Sequence, residues 1–229
     1  MLKAVSKKYL LEYAEMKFST PFILLLALAI QPVALHTLAR AEIAEPQQQS
    51  DVWTFSPESS AEYEAHVKLL LVIDDTVIGR TNKVTGSITI PAGEPSDPLS
   101  RLPVRAEVFI DASTFRSGNG VRDKNVKEIL DVGKYPQIKF LLLSIEALKS
   151  QDSSLNGTFA VRGMLEVHGA QKEIAFPVTV EMGMRELRIK GVAQVRYSDF
   201  DIQPPTLALF IRRAEDSINF KVALVAVRK

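Results

Sequence analysis

Apolar and polar side chains alternate with a period of two through six separate stretches of this 229-residue chain. That is the pattern of strands with one covered face. Residues 84–90 set Val84, Ile88 and Ile90 against Thr85, Ser87 and Thr89. Residues 104–111 set Val104, Ala106, Val108 and Ile110 against Arg105, Glu107 and Asp111. The same phase runs through Phe159, Val161, Leu165 and Val167, then through Ile174, Phe176, Val178, Val180 and Met182. It continues through Leu187, Ile189, Ala193, Val195 and Tyr197, and ends with Ile218, Phe220, Val222, Leu224 and Ala226. Residues 67–73 and 138–142 are more uniformly apolar, so they read as strands whose register the pattern leaves open. The expected total is about eight strands.

The spacers are short. Residues 168–171 and 183–186 suit hairpin turns with glycine available for positive φ. Short hairpins between sequential strands describe an up-and-down antiparallel meander. An apolar face on so many strands has to be covered, either by a second sheet or by closure of the sheet on itself. Closure also removes both exposed edges. Eight strands close around an interior wide enough for side chains or one small ligand. The expected fold is therefore all-β, a single antiparallel barrel of about eight strands. One short helix interrupts it at residues 123–130, with Val126, Ile129 and Leu130 on one stripe and Asp123 placed as its N-cap. Such a helix either gates one barrel mouth or simply connects two strands.

The N-terminus carries a different signal. The nine apolar residues 22–30 are too few to span a membrane, which takes about 20. They fit the apolar region of a secretory signal peptide, with Lys17 before them and the small-x-small site Ala39-Arg40-Ala41 after them. The reading places translation start at Met16 and cleavage after Ala41, so residues 1–41 are signal peptide, 42–52 a polar linker and 53–229 the barrel domain. The destination is the periplasm or the exterior. The formal net charge of +1 belongs to that address label, since residues 42–229 hold 23 basic and 25 acidic side chains. No basic surface for nucleic acid follows from such a balance. The chain has no Cys, which excludes disulfides, thiolate metal sites and cysteine nucleophiles.

Catalytic motifs are scarce. His66 and His168 are far apart, lack metal-ligand spacing and fall on polar phases, so both read as surface residues and no metal site is expected. Ser113 and Ser117 have no histidine near them to act as a base. Gly118-Asn119-Gly120 lacks the spacing of a phosphate loop and reads as the turn before the helix. Arg212-Arg213 is too small a patch to bind nucleic acid. What remains is the inward apolar face. Its candidate lining residues are Val108, Ile110, Phe140, Leu142, Phe159, Val161, Phe176, Val178, Ile189, Phe220 and Val222. A barrel with such an interior is either packed solid or partly hollow, and alternation does not decide between them.

Residues 108–140 contain Asp111-Ala112-Ser113, Gly118-Asn119, Arg122-Asp123 and Tyr135-Pro136-Gln137-Ile138-Lys139-Phe140. Val84-Thr85-Gly86, Gly163-Met164-Leu165 with Gly169, and Asp199-Phe200-Asp201-Ile202 extend the set. Together they resemble the YceI-like family of exported polyisoprenoid-binding proteins, from about Phe55 onward. The resemblance implies a lipocalin-like barrel whose apolar tunnel holds a polyisoprenoid, a quinone or a fatty-acid derivative. It also implies no metal, no cofactor and no catalysis. The chain departs from the family in lacking an aromatic-rich first strand, in the polar turn Gly79-Arg80-Thr81-Asn82, and in Asp201 where many members have Gly.

Three functions compete. The first is a carrier of such a ligand. The second is a packed barrel that serves as an envelope interaction or stress-response protein through contacts with a partner protein. The third is a hydrolase or isomerase using Asp111 or Asp123 at the barrel mouth, for which a carboxyl with a raised pKa would speak. A helix-opening Arg122-Asp123 ion pair is the preferred reading of that last site.

Overall fold

The computed structural model describes residues 50–69, 73–91, 104–150, 156–207 and 212–228. The signal-peptide and cleavage readings on residues 1–41, and most of the linker, lie outside the described residues. The strands are β1 (Ser50–Phe55), β2 (Ser60–Leu69), β3 (Ile73–Thr81), β4 (Val84–Pro91), β5 (Arg105–Asp111), β6 (Gln137–Ser150), β7 (Gly157–Val167), β8 (Ala170–Met182), β9 (Glu186–Arg196), β10 (Thr206–Leu207) and β11 (Arg212–Arg228). One α-helix, α1 (Gly120–Ile129), lies between β5 and β6.

All pairings are antiparallel, in the order β1-β4-β5-β6-β7-β8-β9-β11-β2-β3, with β1 also paired to β11. β1 and β2 act as one long strand broken at residues 56–59, and β3 and β4 as another broken at residues 82–83. Both halves of the first lie between β11 and the second. Counted this way, eight long strands follow one another in chain order. The ring closes where Trp53, Thr54 and Phe55 meet Arg228, Val227 and Ala226. The first break is stitched to the neighbouring strand by a side chain. Ser59, fully buried, donates its hydroxyl to the Val225 carbonyl at 3.2 Å and accepts from the Val225 amide at 3.0 Å. Backbone groups of β11 that face the break are thereby satisfied.

The predicted phases hold in the six alternating stretches. Val84, Ile88, Val108, Ile110, Phe159, Val161, Val178, Val195 and Ala226 are all buried, and their sequence neighbours are less buried except at Val225, which is buried beside Ala226. The His168-Gly169 hairpin has positive φ at both residues (53° and 79°), the geometry of a two-residue primed turn. Gly183 supplies no positive φ to its own turn.

Four local expectations are corrected. The stretch 67–73 is not one strand: Leu69 pairs antiparallel with Ile73, so the chain reverses inside it. Gly79, Arg80 and Thr81 end β3 rather than forming a turn. β1 begins at Ser50, inside the segment read as linker. The helix starts earlier than its apolar stripe suggests. Its N-cap is Asn119, whose Oδ1 accepts from the amides of Val121 and Arg122 at 3.1 Å, while Asp123 sits in the first turn. Val126, Ile129 and Leu130 do pack on the core.

Candidate ligand-binding lumen

Inward side chains do not fill the barrel waist. Ala106, Phe140, Leu142, Ile145, Phe176, Ile189, Phe220 and Val222 point inward yet stay only partly buried. Those nearer the ends, such as Ile110, Ile138 and Leu187, are buried fully. The space between them is a cavity of about 140 Å³ walled by apolar side chains alone. On β5 its wall runs from Val104 to Ile110. That is about 20 Å of strand at 3.4 Å per residue, or about 15 Å along the axis for strands tilted as barrels require. The cavity is therefore long and slender rather than round.

All eleven lining candidates, Val108, Ile110, Phe140, Leu142, Phe159, Val161, Phe176, Val178, Ile189, Phe220 and Val222, stand on this one wall. The structure adds Phe55, Ile88, Ile90, Ile145 and Leu224, among others. Phe55 escaped because β1 was not expected as a strand. Ile145 escaped because β6 contains β-bulges, with register shifts between Leu142 and Ser144 and between Ala147 and Lys149. Each bulge flips the inward phase of the residues beyond it. The extra residues, Leu143 and Leu148, are turned outward and are 52% and 56% exposed.

Two phenylalanines shape the waist. Phe140 and Phe176 meet edge-to-face with ring centroids 5.6 Å apart. Each ring lies over a glycine of a neighbouring strand, Phe140 over Gly163 and Phe176 over Gly191. The wall is weakest nearby. The β8–β9 ladder extends only from Val178–Gly191 to Met182–Leu187, leaving Ala170–Pro177 and residues 192–196 without ladder pairs to each other. Lys172 Nζ bridges this seam to Asp199 at 3.1 Å.

A second cavity of about 420 Å³, mostly apolar with a few polar groups in its wall, lies at the barrel end under α1. Its wall includes Tyr63, Val77, Arg122, Glu128, Ile129 and Tyr197, with the segment 203–206. Burial pushes the Tyr63 and Tyr197 hydroxyls up to about 12, so both are protonated donors at neutral pH.

Both proposed mouth carboxylates are engaged in local hydrogen bonds. Asp123 accepts from the Ser117 amide and hydroxyl at 2.8 and 2.6 Å, which holds its carboxyl below the usual range. A proton-donating acid would need the opposite shift. Asp111 caps the turn Ala112–Thr114 through the Ser113 amide at 2.9 Å. His168 packs edge-on against Tyr135, and His66 lies on the outer face beside Thr76 and Glu64. Among the described residues no three His, Cys, Asp or Glu side chains converge on a metal-sized site.

The profile of the YceI-like domain matches residues 53–226. The chain belongs to the YceI-like domain family. No curated protein matches it. Among solved structures, this YceI-like chain is similar to Burkholderia cenocepacia BcnA, with 18% identity and a TM-score of 0.57 over 76% of this chain and 99% of that one. It is also similar to a polyisoprenoid-binding domain from Saccharophagus degradans implicated in plant cell wall breakdown, with 10% identity and a TM-score of 0.55 over 79% of this chain and 100% of that one. At these identities the likeness concerns the fold. In the YceI-like barrel here, Asp201 adopts φ 56°, the left-handed conformation that Gly occupies without cost, at the position singled out as a departure from the family.

Proposed function

We propose that this YceI-like protein is an exported, non-catalytic carrier that holds a long apolar molecule in the barrel lumen. A polyisoprenoid, a quinone tail or a fatty-acid derivative has the required shape. The carrying observation is the slender cavity of about 140 Å³ with a wholly apolar wall. Empty cavities of this chemistry stay dry, and one of about 150 Å³ binds benzene. A linear chain exploits the length of the bore, gaining about 0.8 kcal/mol for each methylene buried, before the costs of association. A chain longer than a few carbons has to turn the Phe140–Phe176 pair aside or run out through a mouth. The S. degradans neighbour's description as a polyisoprenoid-binding domain supports the choice of ligand class. The lowered Asp123 carboxyl speaks against the hydrolase alternative.

Native mass spectrometry of the protein purified from its own envelope tests the reading. Release of a defined apolar molecule is the expected result. A bare polypeptide mass, together with no uptake of an apolar fluorescent probe, would refute it. The same spectra show whether the mature chain begins at Glu42, as cleavage after Ala41 requires.

A further inference from the structure

The barrel wall is thinnest where its ladder stops. Past Val178–Gly191, residues 170–177 of β8 face residues 192–196 of β9 without ladder pairs. The other side of each strand is fully paired there, β8 with β7 as far as Ala170 and β9 with β11 as far as Arg196. Pro177 is the first residue beyond the ladder, and it has no amide to donate. Side chains hold this part of the wall shut. Ile174 and Phe176 from β8 and Ala193 and Val195 from β9 point inward along the seam, and the Lys172–Asp199 ion pair clasps its end nearer α1. On the outer face a hollow of about 470 Å³ lies across the end of the ladder, with Pro177 and Thr179 on one side and Lys190, Gly191 and Val192 on the other. Val222 borders both this hollow and the lumen. Gly191 puts no side chain between the two, and the Phe176 ring lies against it from inside. Along its axis the bore ends against buried side chains in both directions, Ile110, Ile138 and Leu165 toward α1 and Phe159 and Leu187 toward the opposite end.

We propose that the β8–β9 seam is a lateral portal, through which an apolar chain enters and leaves the lumen when the strands part beyond Gly191 and the Phe176 ring turns aside. The proposal rests on the carrier reading, which supplies the traffic. A seam without ladder pairs separates by giving up side-chain contacts and one ion pair, whereas parting a complete ladder also strips backbone groups of their partners. The Phe176 ring borders the lumen and so has space to turn into. A slender flexible chain needs only a narrow slit, which a rigid, bulky ligand could not use.

A reversible staple tests it, in a chain that has no cysteine of its own. Ala175→Cys with Gln194→Cys spans the seam at exposed positions, which the β8–β9 register sets opposite each other when continued past Val178–Gly191. Arg162→Cys with Ala175→Cys spans the complete β7–β8 ladder and serves as the control. A short bis-thiosulfonate linker joins either pair where oxidation alone does not. Stopped-flow fluorescence follows uptake and release of diphenylhexatriene, a slender apolar probe, with the staple closed and then reduced. Closing the seam should slow both rates at least about tenfold and leave their ratio, the affinity, within about twofold, because the barrier changes and the lumen does not. Closing the control pair should leave both rates within about twofold of the reduced protein. Asp199→Asn, which undoes the clasp, should speed both rates by about two- to fivefold at the same affinity, the scale of an exposed ion pair. Rates indifferent to the seam staple, or slowed as much by the control, would overturn the portal while leaving the carrier reading intact. Asp199→Asn rates no faster than wild type would overturn it too. A reduced protein that takes up no probe would overturn the carrier reading and this proposal together.

Discussion

Gly163→Ala is the smallest change that should close the lumen. A Cβ on Gly163 would come closer than 3.0 Å to the ring of Phe140 and within 2.6 Å of the Leu141 carbonyl oxygen. The carbonyl belongs to a ladder strand, so that contact strains the β6–β7 backbone whatever the ring does, equally in the single and the double variant. The Phe140 ring is free on its other side, where the cavity lies, so the ring should yield by swinging inward. Overpacking of this kind costs about 1–3 kcal/mol, and the reduced freedom of an unfolded alanine returns about 0.4–1 kcal/mol. The net is a destabilisation of about 1–2 kcal/mol, or roughly 2–8 °C in thermal midpoint for a domain of this size.

Phe140→Ala alone should cost less than the 3–5 kcal/mol of a fully packed ring, about 2 kcal/mol, because one side of Phe140 already faces empty space. The double variant should cost about 1 kcal/mol less than the sum, since the Cβ then meets no ring. Urea unfolding of the four proteins gives the coupling. Displacement of an apolar probe reads the lumen in parallel, with affinity falling at least tenfold in Gly163→Ala and recovering in the double variant. Additivity within about 0.3–0.5 kcal/mol, or an unaltered probe affinity in Gly163→Ala, would refute the claim that Phe140 is held off the lumen by this glycine.

The same geometry sets four other expectations. Phe176→Asp places a carboxylate without a partner in an apolar wall and should destabilise by more than about 3 kcal/mol and abolish apolar binding, which circular dichroism and probe uptake would show. Arg80 and Lys221 hold the Glu62 carboxyl, and Lys221 and Asn219 the Glu64 carboxyl, below the usual range. Groups with depressed folded values contribute stability above their unfolded pKa of about 4.3 and lose it as pH falls through the folded value. Lys221→Met should accordingly lower the thermal midpoint at pH 7 and match wild type once these glutamates are protonated; a difference undiminished in acid would contradict the assignment. Hydrogen exchange should be faster for the β9-facing amides of residues 171–176 than for those of residues 178–182, because the former lack a ladder across the seam. Asn119→Ala removes two capping bonds and should cost about 0.5–2 kcal/mol of helix stability, seen as faster exchange in the first turn of α1.

What the amino-acid order revealed depended on how regularly each strand obeys the two-residue period. β5, β7, β8 and β9 run without a bulge and carry bulky residues inside, so phase, strand count and closure could be read directly. β2 alternates as strictly, with Ala61, Tyr63 and Ala65 buried against Glu62, Glu64 and His66. Its inward alanines carry too little apolar weight to announce a strand. Small inward residues are read as polar-neutral by any hydropathy pattern, yet at a crowded barrel end they are what fits beneath α1. β6 hides half its length because its two bulges break the alternation into three short runs, each out of phase with the one before. The helix N-terminus was misplaced because the apolar stripe begins a turn later than the cap that ends the preceding loop.

The hollow itself lies one level further from the sequence. A packed and an open lumen share the same inward alternation, and side-chain volume summed over the wall does not separate them. The difference arises across strands. Phe140 lies over Gly163, Phe176 over Gly191 and Tyr63 over Gly79, three inward aromatics each beside an inward glycine of an adjacent strand. With no Cβ beneath it, a ring can lie down along the wall instead of standing into the bore. At the first two positions this leaves room for an apolar chain. At the third the Tyr63 ring lies over Gly79, and its buried hydroxyl meets no protein acceptor. Such pairs become visible only once register is known, because neither residue signals the other along its own strand. A barrel of the same family with alanine or larger at these three places should have a filled waist and no orphaned hydroxyl. The same alternating sequence pattern would then describe a protein with nothing to carry.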